Sequence, residues 1–380
     1  MKIGLIGTGR LGLCFALLCE RAGYQVIASD VRKDYVDALR KKVLGSTEPD
    51  VHDLLWASEN IEFTTSNQEV IESADIIYTL VATPSNPEGD YNVSAVWKVV
   101  NDVINSGVKD KSFVVGCTTN PGDCAQFQSK LDECGWDVFY NPEFIAQGSI
   151  VRDLRNADMV LIGGKEGKTY DELVKLYYSI QGPHMEPRIS LMSTTAAELV
   201  KLAVNCFLTT KISYANMVGE VMTLSGLGDE IRLVLSAIGA DTRVGTKFLN
   251  YGYGFGGPCL PRDNRAFSAY AKRQGLDYNL GETVDNFNRA HSTFLLEQSV
   301  KLNSRGLPFF FNYVSYKKGT DILEESQQYK LCLDLLDLGY TVYIDDIVPI
   351  INQVKNNLID KYEDRVRFGT PDEEVYVIDF

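Results

Sequence analysis

The chain has 380 residues, which at roughly 150 residues per domain implies two or three domains rather than one core. Its composition, 45% hydrophobic and 23% charged, is that of an ordinary globular protein and excludes collagen-like, low-complexity and disordered classes. Thirty-seven basic against 51 acidic residues leave a net charge of −14, which argues against nucleic acid and anionic membranes as partners. An anionic ligand must therefore be held by local groups, such as helix N-termini and a few Lys or Arg.

Residues 2–7, KIGLIG, form a short apolar run followed by a glycine turn and the periodic stretch LCFALLCERAG, which ends at Gly23. This order predicts strand, turn and helix, and YQVIASD then closes a βαβ unit at Asp30. The N-terminus carries one lysine and enters a strand directly, so it is not read as a signal peptide. Apolar runs at 76–81, 113–117, 138–140 and 159–162 alternate with helical stretches, the pattern of a doubly wound parallel sheet. We expect this domain to span 1–190.

From Ser193 to about Gly226 an apolar helical rhythm continues with no Gly or Pro before Gly219. It predicts a spine helix of about 45–50 Å. Leu199, Leu202, Phe207 and Leu208 are too many for one face and imply a second apolar surface, in this chain or in a twofold partner. A glycine-rich loop at 250–265 and further helix to about 303 complete a central region, 191–303. The remainder, 304–380, reads as strand (FFFNYVSY), helix (QYKLCLDLLDLG) and strands (TVYIDD, VYVIDF), a smaller α/β domain. The fold class is thus α/β: a Rossmann-like N-terminal sheet, a long-helix centre and a smaller Rossmann-like C-terminal domain.

Gly7-Thr8-Gly9-Arg10-Leu11-Gly12 is a complete GxGxxG between strand and helix, with Asp30 eighteen residues after Gly12. The glycines allow the tight turn, approach to a pyrophosphate and close helix–strand packing, and Asp30 suits the adenosine ribose hydroxyls. Its carboxylate favours NAD over NADP, while Arg32 two residues on could stack on adenine or accommodate a phosphate. The eight cysteines show no CxxC pair and the three histidines are far apart, so no metal site is expected and the thiols read as free in a reducing cytoplasm. Seven cysteines read as small buried hydrophobes. Cys259 differs: it lies in a Gly/Pro-rich loop beside Arg262 and Asp263, where a cation favours the nucleophilic thiolate and glycines admit another molecule.

GFGGPCLPRD resembles the GFGGSCFxKD loop of the UDP-glucose/GDP-mannose 6-dehydrogenase family, and six further segments match. Val81-Ala-Thr83-Pro84 is similar to VxTP, Cys117-Thr118-Thr-Asn-Pro-Gly122 to STVPPG, and Asn141-Pro-Glu143-Phe144 to NPEF. Ala197-Glu-Leu-Val-Lys201 to Asn205 and on to Lys211-Ile-Ser213 resembles AELxKxxxN and KIS. Asp241-Thr-Arg243-Val-Gly245 resembles DxRIG, and Ser315-Tyr-Lys317 with Glu325-Ser326 resembles AFK…ES.

The resemblance implies NAD-dependent, four-electron oxidation of a nucleotide-sugar C6 alcohol, UDP-glucose first, through a cysteine-bound thiohemiacetal and thioester. It implies Cys259 as nucleophile, Lys201 and Asn205 at the developing oxyanion, Glu143 as general base, and Thr118 and Asp263 as positioning groups. It implies cofactor contacts from Gly7, Gly9, Arg10, Leu11, Gly12, Asp30, Thr83 and Thr118. Substrate contacts would come from Phe144, Lys201, Asn205, Arg243, Phe255, Gly256 and Lys317, with Arg243 reaching across a homodimer. Three places depart from the pattern: Arg262 replaces a lysine, Glu324 stands where the family has an arginine, and Ile145-Ala-Gln-Gly148 follows NPEF in place of LREG, so the contacts around the site differ there. Other readings are the same chemistry on GDP-mannose or a UDP-N-acetylhexosamine, a two-electron hydroxyacid dehydrogenase, and a non-catalytic nucleotide-sugar-binding relative. His52, His184 and His291 fall outside every motif and read as structural.

Overall fold

A computed structural model describes residues 1–182, 186–362 and 364–380. It divides into two compact units, 1–201 and 202–380. Among the described residues the first unit carries strands β1 (Lys2–Ile6), β2 (Gln25–Ser29), β3 (Ile61–Thr64), β4 (Ile76–Thr79), β5 (Ser112–Val115), β6 (Asp137–Tyr140), β7 (Met159–Gly163) and β8 (Arg188–Met192). Its helices are α1 (Arg10–Arg21), α2 (Lys33–Arg40), α3 (Val51–Ala57), α4 (Asn67–Ser73), α5 (Ser94–Ser106), α6 (Asp123–Leu131), α7 (Ile150–Arg155) and α8 (Lys168–Ile180).

These strands form one sheet in the order β3-β2-β1-β4-β5-β6-β7-β8. The first six reproduce the doubly wound order whose strand reversal, between β1 and β4, opens a crevice at the strands' C-terminal ends. All pairings are parallel except β6 with β7, where Tyr140 faces Gly163 antiparallel; the sheet expected to be parallel is mixed at this point. Strand interiors are buried on both faces, which is why they read as continuous apolar runs.

A single helix, α9 (Thr194–Leu224), covers 31 residues and matches the predicted spine; the boundary between the units falls within it, after Lys201. The second unit continues with α10 (Ile231–Ala240), α11 (Leu260–Arg273), α12 (Leu280–Leu302), β9 (Phe309–Phe311), α13 (Gln327–Asp337), β10 (Val342–Ile344), α14 (Val348–Tyr362), β11 (Val366–Phe368) and β12 (Tyr376–Ile378). Its sheet runs β11-β10-β9-β12, all parallel, repeating the topology of the first four strands of the larger sheet.

The strand expected across FFFNYVSY stops at Phe311, because the N–H groups of Val314 and Ser315 donate to the Asp346 carboxylate (2.9 Å each) instead of to a neighbouring strand. Residues 348–368, unassigned from sequence, supply α14 and β11. Among the described residues no helix is long and apolar enough to cross a membrane.

Candidate active site

The glycine turn joins β1 to α1. Gly7 takes φ +97°, and a Cβ there would stand 2.7 Å from the Leu80 carbonyl oxygen. At Gly12 a Cβ would lie 2.1 Å from the Gly7 carbonyl oxygen, so the helix can approach the turn only with glycine in this place. Gly9 has no atom within 4 Å of where its Cβ would stand. It is also the N-cap residue of α1, whose first turn has neither a side-chain cap nor an acidic residue. Uncapped N–H groups beside open space suit a dinucleotide pyrophosphate, so these residues fit NAD.

Asp30 follows β2. Its Oδ1 accepts from Arg32 Nε (2.9 Å) and Arg32 N (3.0 Å), and its Oδ2 from Arg32 Nη2 (3.0 Å) and Thr8 Oγ1 (3.4 Å). Burial raises this carboxyl's pKa, but the hydrogen bonds and charge of Arg32 outweigh that and leave it below its ordinary value. The same guanidinium lies 4.0 Å from the ring centre of Tyr35, which packs it between carboxylate and ring. Arg10 reaches Thr47 Oγ1 at 3.3 Å; Leu11 and Thr83 are half-buried.

Three predicted residues of the first unit meet. Lys201 Nζ donates to the Glu143 carbonyl oxygen (2.8 Å) and sits 4.8 Å from the Phe144 ring centre. The Glu143 side chain accepts a short hydrogen bond from Tyr177 of α8, a residue in no recognised motif. Burial pushes the Glu143 carboxyl up to about 7, against the lowering effects of the Tyr177 hydroxyl and the Lys201 charge. A carboxyl poised near neutrality can act as acid or base.

Thr118 lies in the β5–α6 loop and is half-buried. It is its neighbour Thr119 that bonds Glu198, a buried carboxylate of α9 that also accepts from the N–H groups of Gly122 (2.7 Å) and Cys124 (2.9 Å). Glu198 thus closes the N-terminus of α6, and the AELVK segment carries a structural acid beside its lysine.

In the second unit, Asn205 Nδ2 donates to Asp263 Oδ2, and the Asp263 N–H donates to the Cys259 carbonyl (2.9 Å). Asp263 is buried, whereas Cys259 is the one exposed residue among the eight cysteines. Cys259 occupies the N-cap position of α11, where the positive end of the helix dipole favours a thiolate. Of the other seven, five are buried and Cys134 and Cys206 are half-buried; burial raises the thiol pKa of Cys14, Cys117 and Cys206 to about 12.

The loop expected over 250–265 ends at Cys259, because α11 begins at Leu260. Its glycines serve the chain's own packing: a Cβ at Gly254 would meet Asn288 Oδ1 at 2.2 Å, at Gly256 the Glu325 carbonyl oxygen at 2.3 Å, and at Gly257 the Tyr316 ring at 2.4 Å. Phe255 is buried, with its N–H and C=O both bonded to the Asn288 amide (2.9 Å each).

The departures at 262 and 324 meet, since Arg262 Nη2 lies 2.8 Å from Glu324 Oε1. Beside them Arg265 pairs with Glu325 (2.7 Å), so two consecutive ion pairs tie α11 to the 324–325 loop. His291 is buried with Nδ1 2.6 Å from Glu220 and Nε2 2.7 Å from the Gly252 carbonyl, anchoring the start of the cysteine loop. His52 is exposed beside Asp53, and His184 lies outside the described residues. Arg243 is exposed and paired with Asp241 (2.7 Å), and Lys317 is exposed on the loop after β9.

Residues 1–181 match the model of the UDP-glucose/GDP-mannose dehydrogenase family, NAD binding domain, and residues 195–290 match that family's central domain. The UDP-glucose 6-dehydrogenase of Pseudomonas aeruginosa is 30% identical over 367 residues, 93% of this chain and 80% of that protein. Its counterpart from Rickettsia bellii is 29% identical over 363 residues, 93% of this chain and 83% of that protein. The solved UDP-glucose dehydrogenase of Pyrobaculum islandicum aligns with a TM-score of 0.85 at 26% identity, covering 97% of this chain and 86% of that one. With both family models matched and its dinucleotide turn intact, the chain belongs to the UDP-glucose/GDP-mannose dehydrogenase family and uses NAD.

Proposed function

We propose that the protein oxidises the C6 hydroxyl of UDP-glucose to the carboxylate of UDP-glucuronate through a covalent intermediate on Cys259. The observation that carries this reading is the single exposed cysteine, held at the N-terminus of α11 in a family whose motifs the chain retains. Bound NAD supplies the hydride acceptor. Gly7, Gly9, Arg10, Leu11, Gly12, Thr83 and Thr118 cradle it, with Asp30 at the adenosine ribose.

Cys259 Sγ adds to the C6 aldehyde carbon left by the first oxidation, and the carbonyl oxygen takes up a proton. The resulting thiohemiacetal keeps the aldehyde from escaping. Lys201 and Asn205 supply donors for the oxygen as charge develops on it. After the second oxidation Glu143 takes a proton from water, whose oxygen attacks the thioester carbon; the C–S bond breaks and Cys259 leaves as thiolate. Thr118 and Asp263 position the reacting groups. The whole sequence consumes one water and releases two hydrides and three protons. Phe144, Phe255, Gly256, Arg243 and Lys317 contact the nucleotide sugar, and segment 304–380 carries its nucleotide.

We place the reaction in the cytoplasm, supplying a sugar acid for polysaccharide synthesis, and assign the chain to a homodimer. Phe207, Tyr214, Met217, Val221 and Leu224 support the dimer: they recur along one stripe of α9 and are exposed, while Leu202 is buried. Sedimentation at the dimer mass is expected, with Val221→Asp/Leu224→Asp shifting it to the monomer; a wild-type monomer would end this assignment.

Counting NADH per sugar consumed tests the function. Two NADH per UDP-glucose are expected. One NADH would replace the covalent route with a two-electron dehydrogenase, turnover on GDP-mannose or a UDP-N-acetylhexosamine alone would replace the substrate, and NAD binding without turnover on any sugar would leave a binding protein.

A further inference from the structure

The Glu143 carboxyl meets one hydrogen-bond donor among the described residues, the hydroxyl of Tyr177. That hydroxyl also lies 2.7 Å from Asn141 Oδ1. Asn141 cannot turn over to offer its amino group, because Nδ2 already donates to the Leu161 carbonyl (2.9 Å). Its Oδ1 receives a second hydroxyl, that of Tyr78, at 3.1 Å. Tyr78, Asn141 and Tyr177 are all buried, so each polar atom must find its partner inside this cluster.

Tyr177 has one proton and two acceptors. With Glu143 ionised, the tyrosine donates to the carboxylate, and Asn141 Oδ1 keeps the bond from Tyr78. With Glu143 protonated, the carboxyl donates to the tyrosine oxygen, and the Tyr177 proton turns to Asn141. Both states are fully paired, and a simple rotation of one hydroxyl converts between them.

We propose that Tyr177 is a positioning residue for Glu143, and that its hydroxyl, shared with Asn141, lets the half-buried carboxyl take up and release a proton while Tyr177 and Asn141 stay paired. The inference rests on the reading of Glu143 as general base. The titratable groups facing Glu143 are Tyr177 from α8, Tyr78 from β4, Cys19 from α1 and Lys201 from α9. Burial holds Cys19 and Tyr78 neutral, which leaves Tyr177 and Lys201 to favour the carboxylate.

Tyr177→Phe removes the donor that favours the ionised form, so the acid limb of the kcat profile is expected to move to higher pH by about one unit. Activity then falls about tenfold at the foot of that limb and recovers above it, with KM values unmoved. Asn141→Leu removes the acceptor needed by the protonated state and is expected to move the limb to lower pH. The protonated-carboxyl band in infrared spectra should follow both displacements and vanish in Glu143→Gln. General loosening of the core would lower kcat at every pH without moving the limb. Opposite displacements support the proposal, and equal or absent ones overturn it. Wild-type turnover in Glu143→Gln would instead remove the general base, and this inference with it. Should Tyr177→Phe fail to fold, the displacement in Asn141→Leu decides alone.

Discussion

Cys259→Ser is expected to lower steady-state NADH formation by at least about a thousandfold, the scale on which removing a covalent nucleophile acts. Serine keeps the size and N-cap position of the cysteine, but its hydroxyl is almost wholly protonated at neutral pH and makes a poor leaving group in hydrolysis. NAD affinity should be unchanged, because the NAD-binding family match ends at residue 181. Of the seven remaining cysteines five are buried, burial raises the Cys206 thiol's pKa to about 12, and Cys134 is half-buried in a turn just after α6. Calorimetric titration with NAD and single-turnover absorbance at 340 nm make the comparison. Wild-type turnover in the variant would end the covalent model.

Glu143→Gln is expected to stop the reaction one stage later. General bases contribute about 10²–10⁴-fold, so hydrolysis slows while both oxidations proceed, giving a burst of two NADH per subunit and an acyl group on Cys259. Mass spectrometry of the cysteine peptide detects it, and an unmodified peptide after the burst would remove Glu143 from the hydrolytic step.

The same substitution is expected to alter stability in a fixed direction. Burial raises the Glu143 carboxyl from its ordinary 4.5 to about 7, so the folded state holds the proton where the unfolded state releases it. Stability from this group is complete below pH 4.5 and is lost as pH rises through about 7. The displacement corresponds to about 3 kcal/mol. Glu143→Gln, permanently neutral, should therefore be more stable than the wild type at pH 8 by up to about 3 kcal/mol and similar to it at pH 4.5. Urea unfolding at the two pH values measures this, and equal differences at both would show that the carboxyl does not titrate on folding.

The ion pair between Arg262 and Glu324 shows where sequence comparison falls short. Each residue alone departs from the family pattern, one keeping the charge and the other reversing it. In the fold they are partners 2.8 Å apart, guanidinium against carboxylate. The loop glycines make the same point: their spacing marks the loop, but only the fold shows that Asn288, Tyr316 and the Glu325 carbonyl take the space a side chain would need.

The sequence by itself determined the dinucleotide turn, the βαβ unit it begins, the spine helix and the exceptional cysteine. These rest on backbone requirements and periodicities that contiguous residues carry: glycine for a positive φ at Gly7, a period of 3.6 along α9, a thiol among glycines and prolines beside an arginine. The tertiary structure alone decided that Tyr177 and Asn141 serve Glu143, that Glu198 closes α6, and that β7 runs against β6. Those contacts join elements tens of residues apart, where the buried carboxyl and amide take whichever donors packing brings within 3 Å, and no local pattern in the chain encodes that choice.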